Sequence, residues 1–221
     1  MPAIVLGDHA VIPAWVQDHA SFCRWALSDE YPERGRFAYL GDHVWVDLEM
    51  EAADHNAIKA IIGAVLLLMA QNRRLGRYFV DGMMLSHPPT GLSIGPDGMF
   101  VATRTYRSGR VVLRGGRPEP GQGLIVEGTP DMVLEVVSPS SVRKDTVELL
   151  DRYWQAGIPE YWLVDPRRAD VEFTLYAHAA QGYQAVRPRG GWRKSAVFAA
   201  AFRLVPGTDE LGLPQYALEV R

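Results

Sequence analysis

In the stretch "GTPDMVLEVVSPSSVRKDTVELLDRYWQAGIPEYWLVDP", Gly128 to Pro166, two carboxylates, Asp131 and Glu135, stand in an otherwise apolar strand, with Arg143 and Lys144 close behind. Strand side chains alternate faces, so Asp131, Val133, Glu135 and Val137 share one side. An ionised carboxylate on a buried strand face is costly unless it is paired or holds a metal. Glu135 has apolar neighbours on both sides and is the acid most in need of an explanation; the alternative to a metal is an internal salt bridge. Asp131 follows Pro130 at the strand entrance, where an aspartate often turns or caps the chain. The two lie four residues apart, roughly 13 Å along a strand at about 3.3 Å per residue, too far to share one cation. A metal at Glu135 therefore needs its second carboxylate from a neighbouring strand. Asp97, in "IGPDGMFV", is the best supplier, with a simple turn aspartate in Pro-Asp-Gly as its alternative.

The other chemistries find little support. The six histidines, His9, His19, His43, His55, His87 and His178, are scattered with no close metal-ligand pair, which argues against a zinc hydrolase. His55, at the start of a helix, reads as a surface or capping residue. "GRPEPGQG" lacks the Gly-Lys-Ser/Thr ending of a phosphate-binding loop. One cysteine, Cys23, leaves no disulfide framework and no zinc ribbon. The formal net charge of -3 gives no global basic footprint, while leaving room for a local basic groove. Arg104, Arg107, Arg110, Arg114 and Arg117 cluster in and before the Gly-rich excursion from Arg107 to Gly123; they are candidates for phosphate contacts, or else an ordinary solvated loop.

These residues need elements to position them. The 221 residues, 48% hydrophobic and 22% charged, suit one domain with a substantial core. "RFAYLGDHVWVDLE" reads as a hairpin turning at Gly41-Asp42. A helix follows, with Asp54 as N-cap and Ile58, Ile61, Ile62, Val65, Leu66 and Met69 at helical spacing. The segments 77–86 and 94–103 read as strands, 130–138 as a central buried strand, 142–157 as a helix stopped near Gly157, and 160–166 as another strand. Short hairpin strands close the chain. The pattern predicts a mixed α/β, or α+β, fold: a mixed central sheet flanked by helices, with extra β-hairpins. The longest apolar run, Ala60 to Ala70, falls short of the ~20 residues that span a bilayer, and the N-terminus does not read as a signal peptide. A reducing, cytoplasmic setting without membrane attachment is expected.

"PDGMFV", "TPDMVLEVVSPSS", the helix "RKD…Y…AGIPEYW" and the strand end "LVDP" together resemble a large restriction-endonuclease family of uncertain function within the PD-(D/E)XK nuclease superfamily. The resemblance covers Tyr39 through Pro166 and, more loosely, the C-terminus. It implies a single restriction-endonuclease-like domain over 1–221, with a nuclease-like core at about 39–166 and a C-terminal β extension over 167–221. It further implies a Mg²⁺-dependent (or Mn²⁺-dependent) endonuclease acting on DNA. By the same resemblance Asp97 and Glu135 are the metal ligands, carbonyls near Val136 complete the shell, and Glu51 before the first helix is a weaker candidate acid. The family's lysine is absent from both its usual places, where this chain has Val137 and Leu149. Lys144 is the candidate for a displaced catalytic lysine, with Arg143 beside it. With Val147, Leu150 and Trp154 taken as the buried helix face, Arg143 lies nearer to that face than Lys144; the alternative for both is a solvated charge. Cutting both strands would suit a two-fold homodimer. The second reading is a catalytically inactive descendant that binds nucleic acid or acts as an assembly module.

Overall fold

The computed structural model describes residues 4–6, 10–49, 52–115, 125–167 and 170–221. Glu51 and Arg117 lie outside the described residues. In chain order the elements are β1 (Ile4–Leu6), β2 (Ala10–Ile12), α1 (His19–Ala26), β3 (Arg36–Leu40), β4 (Val44–Asp47), α2 (Ala53–Asn72), β5 (Gly76–Val80), β6 (Met84–His87), β7 (Leu92–Ile94), β8 (Gly98–Ala102) and α3 (Thr103–Arg107). They continue with β9 (Val111–Arg114), β10 (Ile125–Gly128), β11 (Met132–Val136), a π-helical turn (Lys144–Glu148) that leads into α4 (Leu149–Gln155), β12 (Glu160–Asp165), β13 (Glu172–Ala179), β14 (Gly182–Ala185), β15 (Arg193–Ser195), β16 (Ala200–Thr208) and β17 (Pro214–Val220).

Two six-stranded mixed sheets carry the fold. Their strand orders are β4-β3-β7-β6-β10-β9 and β14-β13-β12-β11-β8-β5, with β10 parallel to β6 and β11 parallel to β12. Among the described strands the chain passes between these two sheets five times, and two of the passages shape the site. The segment 77–86 is two strands rather than one: it breaks at Asp81-Gly82, where Gly82 takes a φ of 95°, and β5 and β6 join different sheets. The chain crosses back between β7 and β8 through residues 95–97, which is how Asp97 comes to lie at the seam.

Apolar side chains fill the space between the sheets, with Leu40, Leu85, Ile94 and Val126 of the first meeting Met99, Val133, Val137 and Tyr161 of the second, and Leu149 and Tyr153 of α4 joining them. The other face of the second sheet is covered by α2 and by the three-stranded sheet β15-β16-β17, through Ile58, Ile62, Leu66 and Phe202 against Phe100, Leu134 and Trp162. The helix α1 packs Phe22 and Trp25 against Phe37 and Tyr39 of β3. Both sides of β11 are thus buried, in keeping with its unbroken apolar run.

The helix α2 has its buried stripe at Ile58, Ile62, Leu66 and Met69, as the spacing predicts. It begins one residue before Asp54, with Ala52 as an uncapped N-cap and Asp54 in the first turn, where a negative charge favours the helix dipole. At 20 residues it outruns the apolar stretch that marked it and is long and apolar enough, by length and composition alone, to cross a bilayer. Here its apolar stripe lies in the core instead.

Candidate active site

The strands β8 and β11 are antiparallel neighbours, with Leu134 opposite Gly98. The pairing ends there, with Glu135 the next residue of β11 and Asp97 the residue just before β8. Both are buried, at 3% and 5% exposure, in spite of their charge. Gly98 is needed for more than the turn: a Cβ there would run into the Tyr78 hydroxyl.

Asp97 ties the two strands together, its Oδ2 accepting a hydrogen bond from the Val136 amide at 2.7 Å. Three basic side chains, from β3 and α2, converge on it. His55 Nε2 lies 3.4 Å from Oδ2, while Lys59 Nζ and Arg36 Nη1 lie 3.6 and 3.7 Å from Oδ1. His55 and Lys59 stand one helical turn apart on α2, which brings both to the same face. His55 is 2% exposed, a buried member of the cluster rather than the surface residue its position suggested. Burial alone would raise the Asp97 pKa, but His55, Lys59 and the Val136 amide outweigh it and hold the acid below its ordinary value.

Glu135 is in a different state. Its Oε1 accepts a hydrogen bond from the Tyr153 hydroxyl at 2.6 Å, and its Oε2 lies 3.5 Å from Lys144 Nζ. Burial pushes its pKa up to about 8 against the counter-effect of Lys144, and the nearby charges of Asp145 and Asp97 push the same way. Lys144 is itself buried, but the carboxylates of Glu135 and Asp145 outweigh its desolvation and raise its pKa, so it is an ammonium at any physiological pH. The Trp45 ring lies 4.8 Å from its Nζ. Asp145, which pairs most closely with Lys144, also accepts from the Ser141 hydroxyl. Ser140 donates to the buried Asp47 at 2.7 Å and so fastens the β11–α4 loop to the β3–β4 hairpin that carries Trp45.

The π-helical turn explains how Lys144 enters. The Leu149 amide reaches back to the Lys144 carbonyl, one residue beyond α-helical spacing. The inserted residue shifts the buried face, so Lys144, Asp145, Leu149 and Tyr153 point in. Val147, taken as buried from α-helical spacing, is 61% exposed. The same shift overturns Arg143 as a site residue: its side chain is 86% exposed and donates to Glu148 at 3.1 Å. The two places without the family lysine are closed to a charge, since Val137 and Leu149 are both in the core between the sheets.

Asp131 does not join the site. At the far end of β11 it accepts from the Ala102 amide at 2.7 Å, from Thr105 Oγ1 at 2.9 Å and from Arg110 Nη2 at 2.9 Å. It is a buried anchor for the start of α3. This changes the reading of the arginine cluster as well. Arg110 is committed to Asp131, Arg104 lies 4.0 Å from the same carboxylate, and Arg114 pairs with Glu127 at 3.1 Å. Arg107 lines a shallow cleft with Tyr106 and Arg77.

Glu135 and Lys144 open on a cleft of about 190 Å³ whose walls include Arg36, Trp45, Asp81 and Gly95. Among the described residues, no three His, Cys, Asp or Glu side chains converge closely enough to hold a metal ion by themselves. Arg36, Trp45, His55, Lys59, Asp145 and Tyr153 escaped the sequence reading. The pair His55 and Lys59, two polar residues four apart at the start of a buried helix, was the one local signal for any of them.

A family model described as Uma2, "Putative restriction endonuclease", matches residues 20–204. Among curated proteins none matches this chain. Among solved structures, a crystal structure from Anabaena variabilis ATCC 29413, described as "a putative nuclease belonging to DUF820", superposes with a TM-score of 0.59 at 16% identity, over 82% of this chain and 90% of that one. At that identity the likeness speaks for the fold, whereas the family match spans most of the chain. The chain belongs to the Uma2 restriction-endonuclease family and has a restriction-endonuclease-like, mixed α+β fold.

Proposed function

We propose that this protein is a nuclease that hydrolyses DNA phosphodiester bonds with the aid of Mg²⁺ or Mn²⁺ held by Asp97 and Glu135. One observation carries the reading: two buried acids stand at neighbouring strand ends, near enough for the charge of Asp97 to raise the pKa of Glu135, with a buried ammonium 3.5 Å from Glu135. The donor set fits a hard divalent cation. It is all oxygen, it is pre-positioned by the sheet, and Asp97 is kept ionised by the side chains around it. Bound there, such a cation would supply a hydroxide at neutral pH and stabilise the charge that builds on the phosphate.

The chain's own groups have separate tasks. Tyr153 fixes the rotamer of Glu135 through its 2.6 Å hydrogen bond. Glu135 holds a proton near neutral pH and releases it when a cation takes its place. Lys144, always charged, cannot act as a base; its role is to neutralise a phosphate oxygen at the mouth of the cleft. Trp45 and Asp145 hold the ammonium in position for that task. Double-strand cleavage would require two such sites, which a two-fold dimer would bring together.

A second reading draws on the same cluster. Asp97 already has three basic neighbours, and Glu135 shares Lys144 with Asp145, so the acids can be satisfied without a metal in a non-catalytic binding or assembly module. Cleavage of supercoiled plasmid separates the two. The nuclease reading expects nicked or linear product with Mg²⁺ or Mn²⁺, lost in Asp97→Asn and in Glu135→Gln. Product formed equally by Glu135→Gln, or none from the wild type with either metal, would refute it.

A further inference from the structure

A second cleft, of about 580 Å³, lies on the C-terminal extension. It is lined by Arg187, Arg189, Lys194 and Arg221 around Trp192, above the alanine run 199–201. Between Val186 and Arg203 the sequence holds five basic residues and no acid, in a chain whose net charge is -3. Charge is thus segregated here far more than across the chain as a whole.

The centre of the cleft is held in place by its backbone and by the Trp192 ring. Gly190 and Gly191, with φ of 59° and 81°, make the tight turn that sets Arg189 opposite Trp192, and their backbones bond at 2.9 and 3.2 Å. The guanidinium groups of Arg203 and Arg221 lie 4.8 and 4.4 Å from the Trp192 ring centroid. Arg203 is balanced by Glu219 at 2.7 Å. Among the described residues no carboxylate side chain forms an ion pair with Arg187, Arg189, Lys194 or Arg221, and all four are exposed. The cleft has its own foundation. Glu160, at the start of β12, accepts hydrogen bonds from Ser195, Ala196 and Val197 at 2.7 to 3.0 Å. Glu160 is level with Met132, whereas Glu135 is level with Leu163, so this foundation sits at the other end of the parallel pair from the candidate active site.

We propose that this cleft is a nucleic-acid docking site that grips the phosphodiester backbone without reading bases. Arg187, Arg189 and Lys194, exposed and without a carboxylate partner among the described side chains, suit a line of phosphates, and the cleft wall has no Asn, Gln, Asp or Glu to read an adenine or cytosine edge. The choice of a nucleic acid among polyanions rests on the nuclease reading. The cleft also adds to the positive surface near Asp131, where Arg110 is committed to that buried carboxylate and Arg114 pairs with Glu127.

The test is binding of a fluorescein-labelled DNA duplex of random sequence, followed by anisotropy in EDTA over a range of salt. Wild type is compared with the triple variant Arg187→Ala, Arg189→Ala, Lys194→Ala. These side chains are exposed, so the variant should fold, and circular dichroism checks that it does. Each phosphate contact contributes about 0.9 to the slope of log affinity against log salt, so the slope should fall by about two to three and binding should weaken at least ~10-fold at low salt. An unchanged slope and affinity in the triple variant, or no binding by wild type, would overturn the proposal. Binding that is lost in the variant, by a wild type that cleaves nothing with Mg²⁺ or Mn²⁺, would refute the nuclease reading and leave the docking site standing.

Discussion

Replacing Glu135 by glutamine removes a charge that the folded chain holds at a cost. The side chain keeps its shape, and the amide oxygen can still accept from Tyr153. In the wild type, burial raises the Glu135 pKa from an ordinary 4.5 to about 8. An acid with a raised pKa keeps its proton in the folded chain after the unfolded chain has lost it. Stability therefore falls as pH rises through that window, by about 1.4 kcal/mol per pH unit for one group. From pH 5 to pH 8 the loss is on the order of 4 kcal/mol, which Glu135→Gln does not suffer. Other titrating groups are common to both proteins and cancel in the difference. With a urea m-value of about 3 kcal/mol/M, suited to a chain of this size, the unfolding midpoint of the variant should gain roughly 1 M on the wild type between pH 5 and pH 8 in EDTA. A difference that stays flat over this range, or that favours the wild type as pH rises, would refute the account of Glu135 as a carboxylate held in a desolvated site.

Two further substitutions probe the lysine. Lys144→Met leaves Glu135 and Asp145 buried without their ammonium, and should cost about 3–5 kcal/mol at alkaline pH, less as acid protonates them, read as a Tm loss on the order of 10 °C. Plasmid cleavage by the same variant should fall by about 10²- to 10³-fold, the scale of one lost electrostatic donor at a transition state. Leu149→Lys puts a lysine back where the family resemblance expects one, but it enters a fully buried apolar site and should lower stability by several kcal/mol without raising activity; thermal melting and the plasmid assay together check this.

The sequence made some of this architecture legible for plain physical reasons. Glu135 and Asp97 stand out because an acid inside an apolar run demands a partner. The stripe of α2, the hairpin at Gly41-Asp42 and strands β11 and β12 follow from periodicity and turn residues. What stayed hidden depends on non-local contacts. No local signal marks the π-helical turn, so α-helical spacing set Arg143 nearer to the buried face than Lys144, whereas Lys144 is the one that turns in. The segment 77–86 carries a turn dipeptide at Asp81-Gly82 that marks its break, but nothing in the sequence shows that β5 and β6 join separate sheets. The gathering of Arg36, His55 and Lys59 at Asp97 joins β3 and α2 to the seam between the sheets, a meeting that no spacing encodes. Asp131 read as a turn residue from its Pro-Asp context; its partners Thr105 and Arg110 come from a short helix and its flank, which the sequence did not announce.

The central claim is that Asp97 and Glu135 form one divalent-cation site, and calorimetric titration of Mn²⁺ and Mg²⁺ tests it most directly. The account predicts saturable binding to the wild type, lost in Glu135→Ala and in Asp97→Ala. It also predicts that affinity rises by about tenfold per pH unit up to about pH 8 and then levels, because the cation displaces the Glu135 proton. The absence of binding to the wild type, even with a non-cleavable DNA present, or binding that survives the loss of either acid, would contradict it.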